Sequence, residues 1–291
     1  MIRYSITEKE LERRITAEKK SWLSRAKKRT TQYRKGGVDP KESHFWGEIK
    51  KVYIQLQHSK CGYCETGLQD GVLASKVHEV EHFRPKGRIS AWPNKKAVNC
   101  KKLRHCAPMG DARSTGYSLL AYHPLNYVIA CTRCNSTLKS DYFPIAHIRM
   151  VKAQHPKRMR KESALLIYPI SDIDRHDPSD LISFNGPFAV AKHRSGFAHQ
   201  RAMTNIHFFM LNHEDLILRR SKMLMHLWAS LDARVVTDED REHRQLCIDE
   251  CCLPSGEFSA CANAFQALFH DDRPRASRYI HLIRKLVKSR R

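Results

Sequence analysis

Val77-His78-Glu79-Val80-Glu81-His82-Phe83-Arg84-Pro85-Lys86-Gly87 is the stretch on which the reading of this chain turns. Residues 77–82 alternate in a way that predicts a short strand, stopped by Pro85 and Gly87. A carboxylate beside an imidazole at a strand end suits hydrolysis. The carboxylate holds a hard cation such as Mg²⁺, and the imidazole, near its working pKa at neutral pH, takes a proton from water. Alone, a Glu-His pair is weak evidence, because polar strand ends are commonly just solvated. Adjacent residues of a regular strand also face opposite sides. Glu81 and His82 therefore converge only where the strand breaks; if it does not, Glu79 or His78 is the rival ligand.

The flanking sequence raises the weight of the pair. Cys61-Gly62-Tyr63-Cys64 precedes it and Cys131-Thr132-Arg133-Cys134 follows it. Each Cys-x-x-Cys presents two thiolates at chelating spacing, and two such knuckles complete a closed tetrahedral shell that suits structural zinc. Two unrelated pairs of buried thiols, or an iron–sulfur cluster on the same ligands, are the alternatives. Asn135 comes directly after the second knuckle, Lys139 four residues later, and Asn126 nine residues before Asn135. Cys100 and Cys106 fall in a basic loop. His243, Cys247 and Cys251 share helical spacing, which fits either a second metal or a helix packed through small thiols.

Outward from this centre the chain reads as mainly helical. Thr7-x-x-Glu10 is a capping-box pattern opening a polar helix to about Tyr33, with apolar residues only at Leu11, Ile15, Trp22 and Leu23. So sparse a stripe predicts a surface or partner-facing helix. Asp39-Pro40 opens another helix, with Phe45, Ile49, Val52 and Leu56 on one face and Trp46 and Tyr53 beside them. Asn212-x-x-Asp215 reads as a further start, followed by Leu216, Met223, Leu227 and Leu231. A last helix from about Pro274 carries Tyr279, Ile280, Ile283, Leu286 and Val287 on one face. The expected class is α+β: a small core at 61–145, N-terminal helices at 1–60 and a mostly helical region at 146–291.

The 291 residues carry 52 Lys+Arg against 30 Asp+Glu, a net charge of +22. The excess of cations sits mainly in the first half, and solubility needs far less, so a polyanionic partner such as nucleic acid is expected. No apolar run approaches the roughly 20 residues of a membrane helix, and no signal-peptide core is seen, so a cytoplasmic protein is expected. No Gly-x-x-x-x-Gly-Lys-Ser/Thr motif occurs, so any use of ATP must come from a partner.

At Cys61-x-x-Cys64, Glu81-His82-Phe83-Arg84-Pro85-Lys86 and Cys131-x-x-Cys134-Asn135, the sequence resembles the zinc-clamped HNH, or ββα-metal, nucleases. Within them it resembles the PtuB-like nucleases of Septu and retron-associated anti-phage systems. Gly116-Tyr117-Ser118-Leu119-Leu120-Ala121-Tyr122 leading into Asn126, and Leu165-Leu166-Ile167-Tyr168-Pro169, carry the likeness further, over roughly residues 40–225. Pro124 stands where an aromatic is expected, the 88–115 loop is long, and the region after 230 has no counterpart. The resemblance implies a metal-dependent endonuclease, DNA being the favoured substrate, that works with a PtuA-like ABC-type ATPase. It implies His82 as general base, Glu81 and Asn135 as ligands of a catalytic Mg²⁺, and Asn126 as the residue that orients His82. Lys139, Arg84 and Lys86 are implied to grip phosphate, and the four cysteines to hold structural zinc. A non-catalytic zinc-ribbon subunit that binds nucleic acid explains the charge and the zinc equally well, but does not need Glu81, His82 and Asn135 together.

Overall fold

The computed structural model describes residues 1–36, 44–68, 79–93 and 111–289. The expectations for Asp39-Pro40, Val77-His78, Cys100, Cys106 and the basic loop around 95–104 lie outside those residues. The fold is mainly helical α+β, with two separate two-stranded antiparallel sheets among the described residues.

The N-terminal polar segment forms two helices, not one. Helix α1 spans Glu8–Glu18 and α2 spans Trp22–Arg34. Thr7 caps α1 by accepting from the Glu10 N–H at 3.2 Å, as its spacing predicts. The Glu10 carboxylate turns outward to Arg13 and Arg14 instead of closing the box. The sparse stripe is buried, contrary to the expectation of a partner-facing surface: Leu11, Ile15 and Trp22 are each 0% exposed. Trp22 donates from its indole N–H to the Phe45 carbonyl at 3.1 Å and packs on Phe45, Tyr122 and Tyr127. A few large side chains here bury what a dense stripe would bury elsewhere. Trp22→Ala is expected to cost about 3–5 kcal/mol of stability, read as a lower midpoint in chemical denaturation; an unchanged midpoint would return Trp22 to the surface.

A 3₁₀ turn at Trp46–Ile49 leads into α3, Lys50–Leu56. At its end Gln57, fully buried, ties three segments together. Its side-chain amide donates to the carbonyls of Lys60 and Ile129, and its oxygen accepts from the Ile129 N–H. The first cysteine knuckle follows, with the Gly62 N–H donating to Ile129 O at 3.0 Å.

Strand β1, Glu79–His82, pairs antiparallel with β2, Tyr127–Ala130, placing His82 opposite Tyr127 and Glu81 opposite Val128. Ladder contact continues one residue further, from the Phe83 N–H to Asn126 O. Tyr117 donates its N–H to the Pro85 carbonyl at 2.8 Å. This approach depends on Gly116, where a Cβ would stand 1.9 Å from the Gly87 carbonyl oxygen and 2.4 Å from that of Pro85. After β2 the second knuckle, Cys131–Cys134, leads into a π-helical turn, Arg133–Lys139.

The remaining chain is a helical layer. The short α4, Pro178–Leu181, leads into the hairpin of β3, Ile182–Asn185, and β4, Phe188–Ala191. Helices α5 (Gly196–Phe208), α6 (Glu214–Leu231), α7 (Asp238–Cys252), α8 (Ser259–Asp271) and α9 (Arg273–Lys288) follow. The α6 stripe is buried at Leu216, Leu227 and Leu231, with Leu224 buried in place of the expected Met223, which is half-buried. That of α9 is buried at Ile280, Ile283 and Val287, with Tyr279 and Leu286 half-buried. His213, not Asn212, caps α6; the Asn212 amide bonds instead to both backbone groups of Ala189 and joins α6 to β4. Among the described residues no helix is long and apolar enough to cross a membrane.

Candidate functional site

The four knuckle cysteines meet, with their sulfurs all within 4.8 Å of one another. The Cys64 and Cys131 sulfurs stand 3.8 Å apart, the edge of a tetrahedron about 2.3 Å from its centre, which is the zinc–thiolate distance. Burial pushes the Cys61 thiol up, whereas hydrogen bonds from the neighbouring sulfurs hold Cys64 and Cys131 down. Beside Cys134, Cys64 and Cys131 lies the guanidinium of half-buried Arg133, whose Nη1 and Nη2 are shielded from solvent and face the Cys64 sulfur. Four thiolates around one Zn²⁺ carry a net charge of −2, so a cation at this place fits a filled site. These cysteines can hold one zinc ion, with no ligand position left open.

The zinc-type centre lies at the root of β1, β2 and the 133–139 turn, and fixes what those elements carry. Trp46, Lys50, Glu79, Glu81, His82, Lys86 and Asn135 line one open depression of about 430 Å³. His82 is 6% exposed, with Trp46 edge-on at 4.9 Å between ring centres and Tyr127 at 5.1 Å. Its Nε2 lies 3.0 Å from the Ala121 carbonyl oxygen. A carbonyl only accepts, so Nε2 carries the hydrogen and Nδ1 keeps the lone pair. Burial, then the nearby Lys86 ammonium, pushes the imidazole down to about 3, below the near-neutral value expected from sequence. The neutral, proton-accepting form is therefore the resting form.

β1 stays regular through His82, yet both Glu81 and His82 line the depression, and Glu79 joins them on the Glu81 face. Asn135 donates from its amide to the Glu79 carboxylate, as does the Ser136 hydroxyl at 3.0 Å. Glu81 is paired with Lys139 at 2.5 Å. Burial pushes the Glu81 carboxyl up, and the Lys139 ammonium pulls against it. Asn135 thus meets Glu79, the rival, and not Glu81.

Three sequence expectations change in this frame. Asn126 does not reach the His82 ring. Fully buried, it accepts from the Arg84 N–H at 2.9 Å and donates to the carbonyls of Arg84 and Leu120, so it fixes the backbone that leaves β1. Arg84 is turned inward to Glu162 at 3.1 Å, under the rings of Phe83, Tyr117 and Phe143. Lys139, fully buried, spends its ammonium on Glu81 and the His82 carbonyl. A buried cation costs too much without such partners, which is why both point inward. Of the three expected phosphate contacts, Lys86 remains on the depression, its ammonium 4.4 Å from the centre of the Trp46 ring.

A second cluster escaped the sequence reading. Glu8, His123 and His155 bring their ligand atoms within 4.8 Å of one another. Both histidines precede a proline and cap a 3₁₀ turn, Nδ1 accepting the Leu125 N–H at 3.1 Å and the Lys157 N–H at 3.0 Å. Each Nε2 therefore bears its hydrogen and faces Glu8, at 3.9 Å from His123 and 3.0 Å from His155. Metal-bound imidazoles ordinarily donate from the other nitrogen, so this is a carboxylate clasp tying α1 to two loops. The twin His-Pro dipeptides were its only trace in sequence. The grouping of His243, Cys247 and Cys251 is not among the three-ligand clusters of the described residues; only the His243–Cys247 pair approaches, at 3.7 Å.

Burial pushes His123 down to about 3 as well. Free histidine titrates near 6.5, so below that pH the unfolded chain binds protons that folded His82 and His123 refuse. Stability from these two groups is fully present above about 6.5 and drains as pH falls toward 3, by about 1.4 kcal/mol per pH unit for each histidine. Denaturant unfolding between pH 6.5 and 5, with zinc saturating, is expected to show that slope. His123→Asn keeps a capping side chain and is expected to remove its share; a flat profile would place both imidazoles in water.

The fold and site define a mainly helical α+β chain in which a four-cysteine centre able to bind zinc supports a strand carrying Glu79, Glu81 and His82. No protein-family model matches the chain, and no solved structure matches it. The chain is similar to the Septu protein PtuB of Bacillus mycoides (strain KBAB4), at 28% identity over 201 residues, covering 69% of this chain and 58% of that protein. The PtuB likeness read from the motifs is therefore found, and the chain spans less than two thirds of the relative's length.

Proposed function

We propose that this chain is a metal-dependent nuclease of the HNH type and the effector of an anti-phage defence system. The observation that supports it most is the convergence on one depression of the His82 imidazole, the Glu79 and Glu81 carboxylates and the Asn135 amide. Glu79, Glu81 and Asn135 would hold a divalent cation: they are hard oxygen donors, and the orientation of Asn135 toward Glu79 leaves its carbonyl oxygen for a ligand. When bound, Mg²⁺ would supply neutralisation of charge at the scissile phosphate. His82 accepts a proton from water at Nδ1 while Ala121 O keeps the ring in that tautomer. An arriving phosphate places negative charge beside the ring and raises its basicity above the resting value. Lys86 and Lys50 line the depression and suit a polyanion.

The defence role and an ABC-type ATPase partner rest on the likeness to PtuB. Burial of Trp22 removes the N-terminal helices as the favoured docking face. Exposed Leu246 on α7 and Leu282 on α9 suit contact with such a partner better. The non-catalytic alternative draws support from Lys139, which already occupies Glu81. The discriminating experiment is incubation of the zinc-loaded chain with Mg²⁺ and plasmid, single-stranded DNA or tRNA, with and without a PtuA-like ATPase. Magnesium-dependent cleavage supports the nuclease; binding without cleavage under every condition supports the alternative.

A further inference from the structure

We infer that the depression takes unpaired nucleic acid and that His44 and Trp46 seat a base at its rim; this deepens the nuclease reading and rests on it. His82 and Glu81, at 6% and 8% exposure, lie at the floor. A phosphate must descend to reach them, which a strand free of its complement does more readily than a stacked duplex. The rim is aromatic. The exposed His44 ring lies on Trp46 at 4.1 Å between centres and 22° between planes, the arrangement of a stacked pair. Trp46 in turn stands edge-on to His82 and carries the Lys86 ammonium against its ring. A base laid on the outer face of His44 extends this column, and its phosphate then falls toward Lys86 and the floor. Aromatic platforms beside cations hold single strands in this manner, because every base has a stacking face.

Charge alone predicts the opposite preference. A duplex has the denser phosphate charge and gains more from a +22 chain by counterion release. A preference for single strands must therefore come from reach and stacking. The test is fluorescence anisotropy of a labelled 20-mer, as single strand and as duplex, on the zinc-loaded full chain with His82→Ala to prevent cutting. The single strand is expected to bind more tightly at equal salt. His44→Ala, at an exposed position, and Trp46→Ala are expected to weaken it by about 5- to 150-fold, the range for one stacked base, with duplex affinity unchanged. Melting temperatures identify any variant that has unfolded, and the exposed His44 site keeps the test decisive if Trp46→Ala does. Equal or tighter duplex binding, or equal losses on both substrates, would overturn the inference. Because binding is read without cutting, a chain that prefers single strands but never cleaves would defeat the nuclease reading alone. A chain that cleaves duplex preferentially would defeat this inference alone.

Discussion

Replacing His82 by alanine is expected to lower nucleic-acid cleavage by about 10²–10⁴-fold, the range for loss of a general base. The size of the effect follows from how the ring is held. Nε2–H is committed to the Ala121 carbonyl, and among the described residues no hydrogen bond occupies Nδ1. One lone pair is thus kept unprotonated by burial, and of the described groups on the depression Lys86 is a cation, Glu81 is engaged with Lys139 and Glu79 with Asn135. Zinc content and nucleic-acid affinity are expected to stay near wild type, because the ring touches neither the cysteines nor the rim lysines through a hydrogen bond. Melting temperature is the control for the cavity left behind. Cleavage at the wild-type rate by a folded variant would remove His82 from the base role.

Cys134→Ser is expected to have the largest effect on the fold. Structural zinc contributes on the order of 10–16 kcal/mol in zinc-finger peptides at neutral pH, comparable to or above the whole stability of most domains. Here the centre joins the loop after α3 to the turn after β2, and both strand contacts and the Asn135 position depend on that junction. Without it, the half-buried Arg133 guanidinium loses the net negative charge of the filled centre beside it. Elemental analysis is expected to give one zinc per wild-type chain and a large loss in the variant, with a lower melting temperature. A zinc-free wild type, or a variant of full stability, would contradict the centre.

How far the fold was legible depended on whether the signal was local. The two knuckles, the short strand and the C-terminal helical stripes were readable because spacing along the chain carries them. Trp22 was not, since the periodicity of a sparse helix cannot distinguish a few buried anchors from a partner face. Arg84 and Lys139 read as surface cations because charge type is visible in sequence, whereas their partners are not: Glu162 lies 78 residues beyond Arg84. The proposed acidic ligand was legible as Glu81 with Glu79 or His78 as rival, and the hydrogen bond from Asn135 to Glu79, which no local pattern encodes, favours adding Glu79. The Glu8 clasp needed three distant segments at once, which no local pattern encodes.

Phosphodiester hydrolysis at His82 requires a divalent cation in the depression beside it. An anomalous-scattering map from crystals of the zinc-loaded chain soaked in Mn²⁺ tests for that cation. The expected result is a manganese peak bonded to oxygens of Asn135 and of Glu79, Glu81 or both, in addition to zinc on Cys61, Cys64, Cys131 and Cys134, and lost in Glu79→Gln/Glu81→Gln. No manganese in the depression at saturating concentration, or manganese confined to Glu8, His123 and His155, would contradict it.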